Sequence, residues 1–186
     1  MSLKVAWGIT GSGDFMPEVI KSVKEIRQEN AEIEFYIFLS RAAQQVLRWY
    51  NLTSQLGTIS DKIFHEVDAN KTEPFYYLPG ALQLGKFRLF LICPATSNTV
   101  AKMVNGIADT LITNAAAQAA KANIPIYVMP VDHDEGVQIT TLPDGKQLKL
   151  TMRKIDTENT KRLGAMENFH IFTDPSTLRE IINSHL

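Results

Sequence analysis

The sequence has a single cysteine, Cys93, and this scarcity limits the chemistry that the chain can carry. One cysteine cannot form a disulfide within the chain or supply an all-cysteine metal site. No activating partner stands beside it in the sequence, so we expect a small buried hydrophobic side chain and not a nucleophile. Redox chemistry in this protein would therefore have to come from a bound cofactor.

The chain also lacks an excess of charge of either sign and any long hydrophobic run. Its 186 residues include 19 Lys and Arg against 20 Asp and Glu, which leaves a net charge of −1. No overall field favours nucleic acid or an anionic membrane, and the apolar runs are too short to cross a bilayer. The N-terminus runs directly into a predicted strand without a charged leader, so we expect a cytoplasmic protein. We expect it to bind neither nucleic acid nor a membrane.

The residues that are present predict a folded α/β domain. Hydrophobic residues make up 45% of the chain, and its length suits a single domain over 1–186. Strand-length apolar runs alternate with segments of helical periodicity. Five strands are predicted at 3–9, 34–39, 62–67, 87–93 and 124–129. Helices are predicted at 15–28, at 42–50, from Asn98 onward and at 109–122. This alternation is typical of a Rossmann-like, doubly wound fold with a mainly parallel sheet.

The last third of the chain has a different pattern. Segments 137–142 and 147–152 flank Pro143-Asp144-Gly145, which is typical of the turn of a β-hairpin. Asp174 before Pro175 is typical of a helix start and predicts a terminal helix to about Asn183. We therefore divide the chain into an α/β core at 1–130, a hairpin arm at 131–155 outside the main sheet, and a C-terminal helical segment at 156–186.

Two loops at predicted strand ends carry polar and small residues. The first, GITGSGD at 8–14, matches neither the dinucleotide fingerprint nor a Walker A loop, which disfavours NAD and ATP. Its backbone N–H groups, with the hydroxyls of Thr10, Ser12 and Ser40, can hold a phosphate, or its glycines can simply allow a tight turn. The second, PATSNT at 94–99, offers more polar side chains than one helix cap requires, and its small residues would let a flat ring approach the backbone.

The second loop opens a longer stretch that resembles a known family. Residues 94–130, PATSNTVAKMVNGIADTLITNAAAQAAKANIPIYVMP, resemble the signature region of the FMN-binding family of phosphopantothenoylcysteine decarboxylase, lantibiotic cysteine decarboxylases and flavin prenyltransferase. GITGS at 8–12 and LSRAA at 39–43 resemble its other nucleotide-site segments. The resemblance implies a Rossmann-like fold that binds FMN near a subunit interface of a homo-oligomer.

The resemblance also identifies candidate cofactor-binding residues, without any catalytic residue or metal ligand. They are Thr10, Gly11, Ser12, Ser40, Arg41, Pro94, Ala95, Thr96, Ser97, Asn98, Thr99, Asp109 and Met129. Two of them have an alternative interpretation. Asp109 would contact the flavin ring edge or a polar substrate, or else cap the following helix. Met129 would pack against the flavin, or else belong to the core.

At several positions the sequence differs from the motifs of the two best-known enzyme types of this family, the decarboxylases and the prenyltransferases. The decarboxylase motif P-x-M-N-x-x-M-W is replaced by PVDHDEG at 130–136, and Gln44 and Gln45 stand where the decarboxylases place a histidine. Asn114 replaces an arginine that is usual in the prenyltransferases. A decarboxylase or prenyltransferase is therefore only the third interpretation.

The closer resemblance is to the archaeoflavoprotein branch, which includes dihydromethanopterin reductase. It rests on AWGITGSGD at 6–14, MPVD at 129–132 and LPDGKQLKL at 142–150. It implies FMN-dependent reduction of dihydromethanopterin or a related dihydropterin, with electrons from a donor such as ferredoxin. The second interpretation is a ferredoxin-linked electron-transfer flavoprotein without a small substrate of its own.

Two charged segments remain open in function. Asp132, His133, Asp134 and Glu135 can form an acid–base or metal cluster, although a solvated turn is the commoner role of such a loop. Six basic residues between Lys146 and Arg162 can dock an acidic ferredoxin or an acidic pterin tail. We favour a solvated hairpin for this second segment as well.

Overall fold

Six parallel strands form the central sheet in the structure, a computed structural model that describes residues 2–66 and 73–186. The strands are β1 (Leu3–Ile9), β2 (Ile33–Leu39), β3 (Ile63–His65), β4 (Leu89–Ala95), β5 (Ile126–Pro130) and β8 (Phe169–Ile171). Their order is β3-β2-β1-β4-β5-β8, and every neighbouring pair is parallel. All seven residues of β4 are buried, as expected of a central strand that is covered on both faces. The predicted Rossmann-like, doubly wound fold is confirmed.

Helices cover both faces of this sheet because successive strand residues point to opposite sides. Val5 and Trp7 of β1 enter one apolar cluster, whereas Ala6 enters the other. Residues of α1 (Met16–Glu29), α2 (Arg41–Trp49), α3 (Thr53–Leu56) and α8 (Leu178–Asn183) contribute to the first cluster. Residues of α4 (Glu73–Gln83), α5 (Ser97–Val104), α6 (Leu111–Lys121) and α7 (Lys154–Gly164) contribute to the second.

The hairpin arm forms a separate two-stranded sheet, as predicted. Its strands β6 (Val137–Thr141) and β7 (Gln147–Thr151) are antiparallel and join no strand of the central sheet. Strand β6 is hydrogen-bonded to the core: Tyr50 donates its hydroxyl to the Thr141 carbonyl at 2.8 Å, and the Thr140 hydroxyl donates to the Asp14 carboxylate. The arm therefore lies beside the loop that follows β1.

The C-terminal part differs from the prediction in two ways. Helix α7 begins at Lys154, inside the segment that was assigned to the arm, and the segment assigned as helical contains β8. The central sheet thus has a sixth strand that the sequence analysis missed. At the opposite edge β3 covers only Ile63–His65, and Val67 of the predicted strand lies outside the described residues. No helix within the described ranges is long and apolar enough to span a membrane.

Candidate functional site

The strand order reverses between β1 and β4, and this switch point defines the candidate site. In parallel α/β sheets, ligands bind outside the carboxyl ends of the strands where neighbouring connections diverge to opposite faces. The loops after β1, β2 and β4 end at this edge and contain Thr10, Ser40 and Thr96. Three of the candidate segments identified from the sequence are therefore at one edge of the sheet.

Thr10 joins the loops on the two sides of the switch point. Its side chain is only 2% exposed. The hydroxyl donates to the Pro94 carbonyl at 2.9 Å and accepts from the Thr96 N–H at 2.8 Å. The Thr10 N–H also donates to the Pro94 carbonyl, at 3.2 Å. The end of β1 is thereby fixed to the start of α5.

Gly11 and Ser40 set the distance between the first loop and α2. A Cβ atom on Gly11 would lie 2.4 Å from the Ala42 Cβ, so only glycine permits this approach. Ser40 caps α2 by accepting from the Ala43 N–H at 3.0 Å. Ser12 is 7% exposed, and its hydroxyl accepts from the Asp14 N–H at 3.1 Å. These contacts place small residues and hydroxyls around the start of α2.

Glu66 was not singled out by the sequence analysis, although it bridges two helix starts in the structure. Its Oε2 accepts from the Arg41 N–H at 2.8 Å and its Oε1 accepts from the Leu111 N–H at 2.6 Å. These are the first residues of α2 and α6, where unpaired N–H groups favour an anion. The only sequence signal is an acidic residue just after a short strand. The carboxylate ties α2, from one face of the sheet, to α6, from the other.

The start of α5 uses its four polar residues in different ways. Thr96 is the N-cap and accepts from the Thr99 N–H at 3.3 Å, so the helix begins one residue before the predicted Asn98. The Ser97 hydroxyl donates to Asp132 in the loop after β5. Asn98 is exposed in the first turn of α5. Capping therefore accounts for Thr96 and Thr99, whereas Asn98 remains accessible to a ligand.

Almost the whole chain matches one protein family. The family model described as Flavoprotein matches residues 1–184. The chain belongs to the Flavoprotein family. An uncharacterised protein of Methanocaldococcus jannaschii is 44% identical to it over 99% of this chain and 96% of the relative. A dihydromethanopterin reductase (acceptor) of the same organism is 30% identical over 98% of this chain and 97% of the relative.

A solved structure extends the comparison to the fold and the cofactor. DmrB of Burkholderia xenovorans, in complex with FMN, superposes on this flavoprotein with a TM-score of 0.80 and 31% identity. The match covers 98% of this chain and 94% of DmrB, which is described as a cubic protein cage for redox transfer. The resemblance to the FMN-binding family is thus confirmed.

Two candidate residues of this flavoprotein have clear structural roles away from the α5 start. Asp109 does not cap α6, because Thr110 occupies the N-cap and forms a capping box with Thr113. Its carboxylate pairs with Lys102 at 2.8 Å, and the Lys102 hydrogen bond lowers the Asp109 pKa. Met129 is fully buried in the apolar cluster of α1, which favours its core interpretation.

Most basic side chains of the charged arm segment are paired with carboxylates, which weakens the docking interpretation. Four of its six basic side chains pair with carboxylates: Lys146 with Asp144, Arg153 with Asp156, Lys154 with Glu158, and Lys161 with Glu135. Among the described residues, no group of three His, Cys, Asp or Glu side chains is arranged to hold a metal ion. The structure therefore favours an ion-paired surface at this arm.

Cys93 of the flavoprotein is expected to be chemically inert while the protein is folded. It is fully buried at β4, and this burial raises the pKa of its thiol far above the ordinary value. A disulfide reagent at pH 8 should modify no thiol in the folded protein and one thiol in guanidinium chloride. Modification of both forms at equal rates would contradict this closed environment.

Proposed function

We propose that this chain is an FMN-dependent oxidoreductase that reduces dihydromethanopterin or a related dihydropterin, with electrons from a donor such as reduced ferredoxin. The observation that carries the proposal is the switch point, where Thr10 fixes two loops together beside the capped starts of α2 and α5. The similarity to a dihydromethanopterin reductase and to FMN-bound DmrB over almost the whole chain supports the substrate and the cofactor.

The residues around the switch point fit a flavin mononucleotide. Hydroxyls and the N–H groups of the glycine-containing first loop favour a phosphate, and the Gly11–Ala42 approach brings this loop against the start of α2. Gln44, one turn beyond Ser40, has a buried side-chain nitrogen without a hydrogen-bond partner among the described residues. A buried donor of this kind is costly unless a ligand satisfies it. We assign Gly11, Ser12 and Ser40 to the phosphate end of the site.

The start of α5 suits the other end of the cofactor. Ala95 and Pro94 are buried beside Thr10 and present little side-chain bulk, and Asn98 offers an exposed amide that can both donate and accept. When bound, FMN supplies hydride or single-electron transfer, and the protein supplies binding and orientation. In this assignment the chain holds the phosphate at α2 and orients the ring along the first turn of α5.

We also infer that the protein acts as a homo-oligomer with FMN near its subunit interfaces. DmrB is described as a cubic cage, and the arm of this chain exposes apolar side chains. Val137 is 64% exposed and Ile139 is 57% exposed on a two-stranded sheet, which is marginal without further packing. Light scattering should give a mass several times 20.8 kDa. A monomeric mass would contradict this inference.

Anaerobic rapid mixing tests the activity. FMN-loaded protein is reduced chemically, freed of reductant and mixed with dihydromethanopterin. We expect the flavin absorbance to return as one tetrahydropterin forms per flavin. Reduction by ferredoxin without reoxidation by any dihydropterin would contradict the proposal and identify an electron carrier instead.

Asn98→Ala tests the assignment of the α5 start to the flavin. Because Asn98 is exposed and does not cap the helix, its replacement should leave the stability of the fold unchanged. We expect FMN affinity, measured by titration of flavin-free protein, to fall about tenfold through loss of one or two ligand hydrogen bonds. Asn105→Ala, at the other end of α5, is the control. Equal FMN affinity in Asn98→Ala and wild type would remove Asn98 from the site.

A further inference from the structure

Asp132 lies in the loop after β5 and reaches back to the switch point. Strand β5 ends at Pro130, and the Val131 N–H donates to the Ala95 carbonyl at 3.1 Å, which fixes the loop beside the end of β4. The Ser97 hydroxyl then donates to Oδ2 of Asp132. No other hydrogen bond to this carboxyl occurs among the described residues, so Oδ1 is available to carry a proton.

The charges around Asp132 favour its protonated form. Partial burial raises the pKa of the Asp132 carboxyl, and the carboxylates of Asp156 and Asp14 raise it further. Arg153 and His133 act in the opposite direction. Both of these groups have other partners, however, since Arg153 holds Asp156 through two hydrogen bonds of 2.7 Å.

His133 is engaged on both of its ring nitrogens. Nδ1 lies 3.0 Å from the Pro130 carbonyl, and Nε2 lies 3.3 Å from the Asp134 carboxylate. The groups facing Asp132 are thus His133 from its own loop, Asp14 from the loop after β1, Ser97 from α5, and Asp156 with Arg153 from the start of α7. Two carboxylates and a hydroxyl surround this carboxyl, and among the described residues neither Arg153 nor His133 forms a hydrogen bond with it.

We propose that Asp132 is the proton donor for reduction of the dihydropterin, an inference that rests on the function proposed above. Reduction of the C=N bond adds a hydride to carbon and a proton to nitrogen. A bound FMN, kept reduced by the external electron donor, would supply the hydride. Asp132 gives the proton and becomes a carboxylate, which regains its proton from solvent. Ser97 is a positioning residue that keeps the carboxyl at the start of α5.

A carboxyl that donates a proton near neutral pH must first hold that proton, and its surroundings decide whether it does. A general acid is effective when its pKa lies near the working pH, and an ordinary exposed aspartate is too acidic for that role. Asp134, two residues along the same loop, has a side chain that is 76% exposed and serves as the matched comparison. Of the two, only Asp132 combines partial burial with a contact to α5.

The test compares Asp132→Asn with Asp134→Asn in the FMN-loaded protein. Each variant is reduced anaerobically and reoxidised either by dihydropterin or by ferricyanide, which accepts electrons without needing a proton from the protein. We expect Asp132→Asn to slow reoxidation by dihydropterin about 100-fold or more, with ferricyanide reoxidation unchanged. The wild-type rate with dihydropterin should fall as pH rises through the pKa of Asp132, and this limb should be absent from the variant. Asp134→Asn should match the wild type.

The possible failures can be told apart. Equal dihydropterin rates in Asp132→Asn and wild type would overturn the role of Asp132 and leave the proposed function intact. A wild type that reacts with ferricyanide but with no dihydropterin would overturn both. An equal loss with both oxidants would show that Asp132 acts on the flavin site as a whole, and would also overturn its role as proton donor.

Unfolding of flavin-free protein gives a readout that is independent of activity. A carboxyl whose pKa is higher in the folded than in the unfolded state stabilises the fold most at low pH, and this contribution is lost as pH rises from about 4 through the folded pKa. Because asparagine does not ionise, Asp132→Asn should not show this loss of stability as the pH rises. The difference in urea midpoint, variant minus wild type, should therefore become more positive between pH 4 and pH 7.5. A difference that does not change with pH would contradict the environment assigned to Asp132.

Discussion

Thr10→Val is expected to lower the free energy of unfolding by about 2 to 4 kcal/mol and FMN affinity by at least about tenfold. Valine matches the shape of threonine but removes the hydroxyl of a buried residue, 2% exposed, and this hydroxyl makes two hydrogen bonds. The Pro94 carbonyl keeps the Thr10 N–H, whereas the Thr96 N–H loses its acceptor. The free-energy cost of leaving this N–H unpaired is larger than the net contribution of the hydrogen bond that is lost.

The measurements are urea unfolding and FMN titration, with Thr10→Ser as the matched control. Serine retains the hydroxyl and loses only a methyl group, so most of the stability and most of the affinity should return. For a chain of this length the valine variant should melt roughly 5 to 15 °C lower. Equal stability of the valine and serine variants would show that the hydroxyl does not hold the two loops together.

The parts of the fold that the sequence predicts are those whose burial is apolar and periodic. Segment 87–93 is a nearly continuous apolar run, interrupted by Arg88, and overlaps β4 at Leu89–Ala95. The predicted turn at Pro143-Asp144-Gly145 joins β6 to β7. Helix α7 lacks such a pattern because the side of it that faces the protein is polar. Its buried residues include Asp156, Thr157, Asn159 and Thr160, with Leu163 as the one apolar member. Hydrophobic periodicity does not locate the start of such a helix, which lies at Lys154, two residues before the segment that was assigned as helical.

Strand β8 was missed for a different reason. It spans only Phe169–Ile171, too few residues to show an alternating pattern. It is placed by the contacts of Asn168, which has a positive φ of 67° and donates its side-chain amide to the Ala120 carbonyl at 3.2 Å. The Ile126 N–H also donates to the Asn168 carbonyl, at 2.8 Å. These are long-range contacts, and local propensity carries no information about them.

The candidate site likewise contains some features that the sequence could predict and others that depend on long-range contacts. Its hydroxyl and glycine residues follow strand ends, so their common edge could be inferred from the parallel sheet alone. The bridge through Glu66 could not, because it depends on α2 and α6 approaching one carboxylate from different parts of the chain. The link between Ser97 and Asp132 spans 35 residues and depends on the pairing of β4 with β5. Sequence identifies which chemical groups are available, and the topology decides which of them meet.

Gly11→Ala is expected to disturb the phosphate end of the site by steric contact alone. The added methyl would lie 2.4 Å from the Ala42 Cβ and 3.1 Å from the Ala42 carbonyl carbon, so the backbone of α2 has to move. Overpacking of this kind costs about 1 to 3 kcal/mol. Because Ser40 caps the same helix, we expect FMN affinity to fall at least about tenfold along with the stability.

A double-mutant cycle separates this contact from a general effect of losing glycine. Ala42→Gly alone should cost about 1 kcal/mol through helix propensity. In the double variant, Ala42→Gly removes the Cβ that the methyl of Gly11→Ala would contact. The double variant should therefore lose less stability than the sum of the losses in the two single variants. Gly80→Ala is the control, since among the described residues no heavy atom outside the helix's own backbone and the two chain neighbours lies within 4 Å of its added Cβ. Strictly additive costs in the cycle, with flavin affinity unchanged in Gly11→Ala, would show that the Gly11–Ala42 approach does not shape the cofactor site.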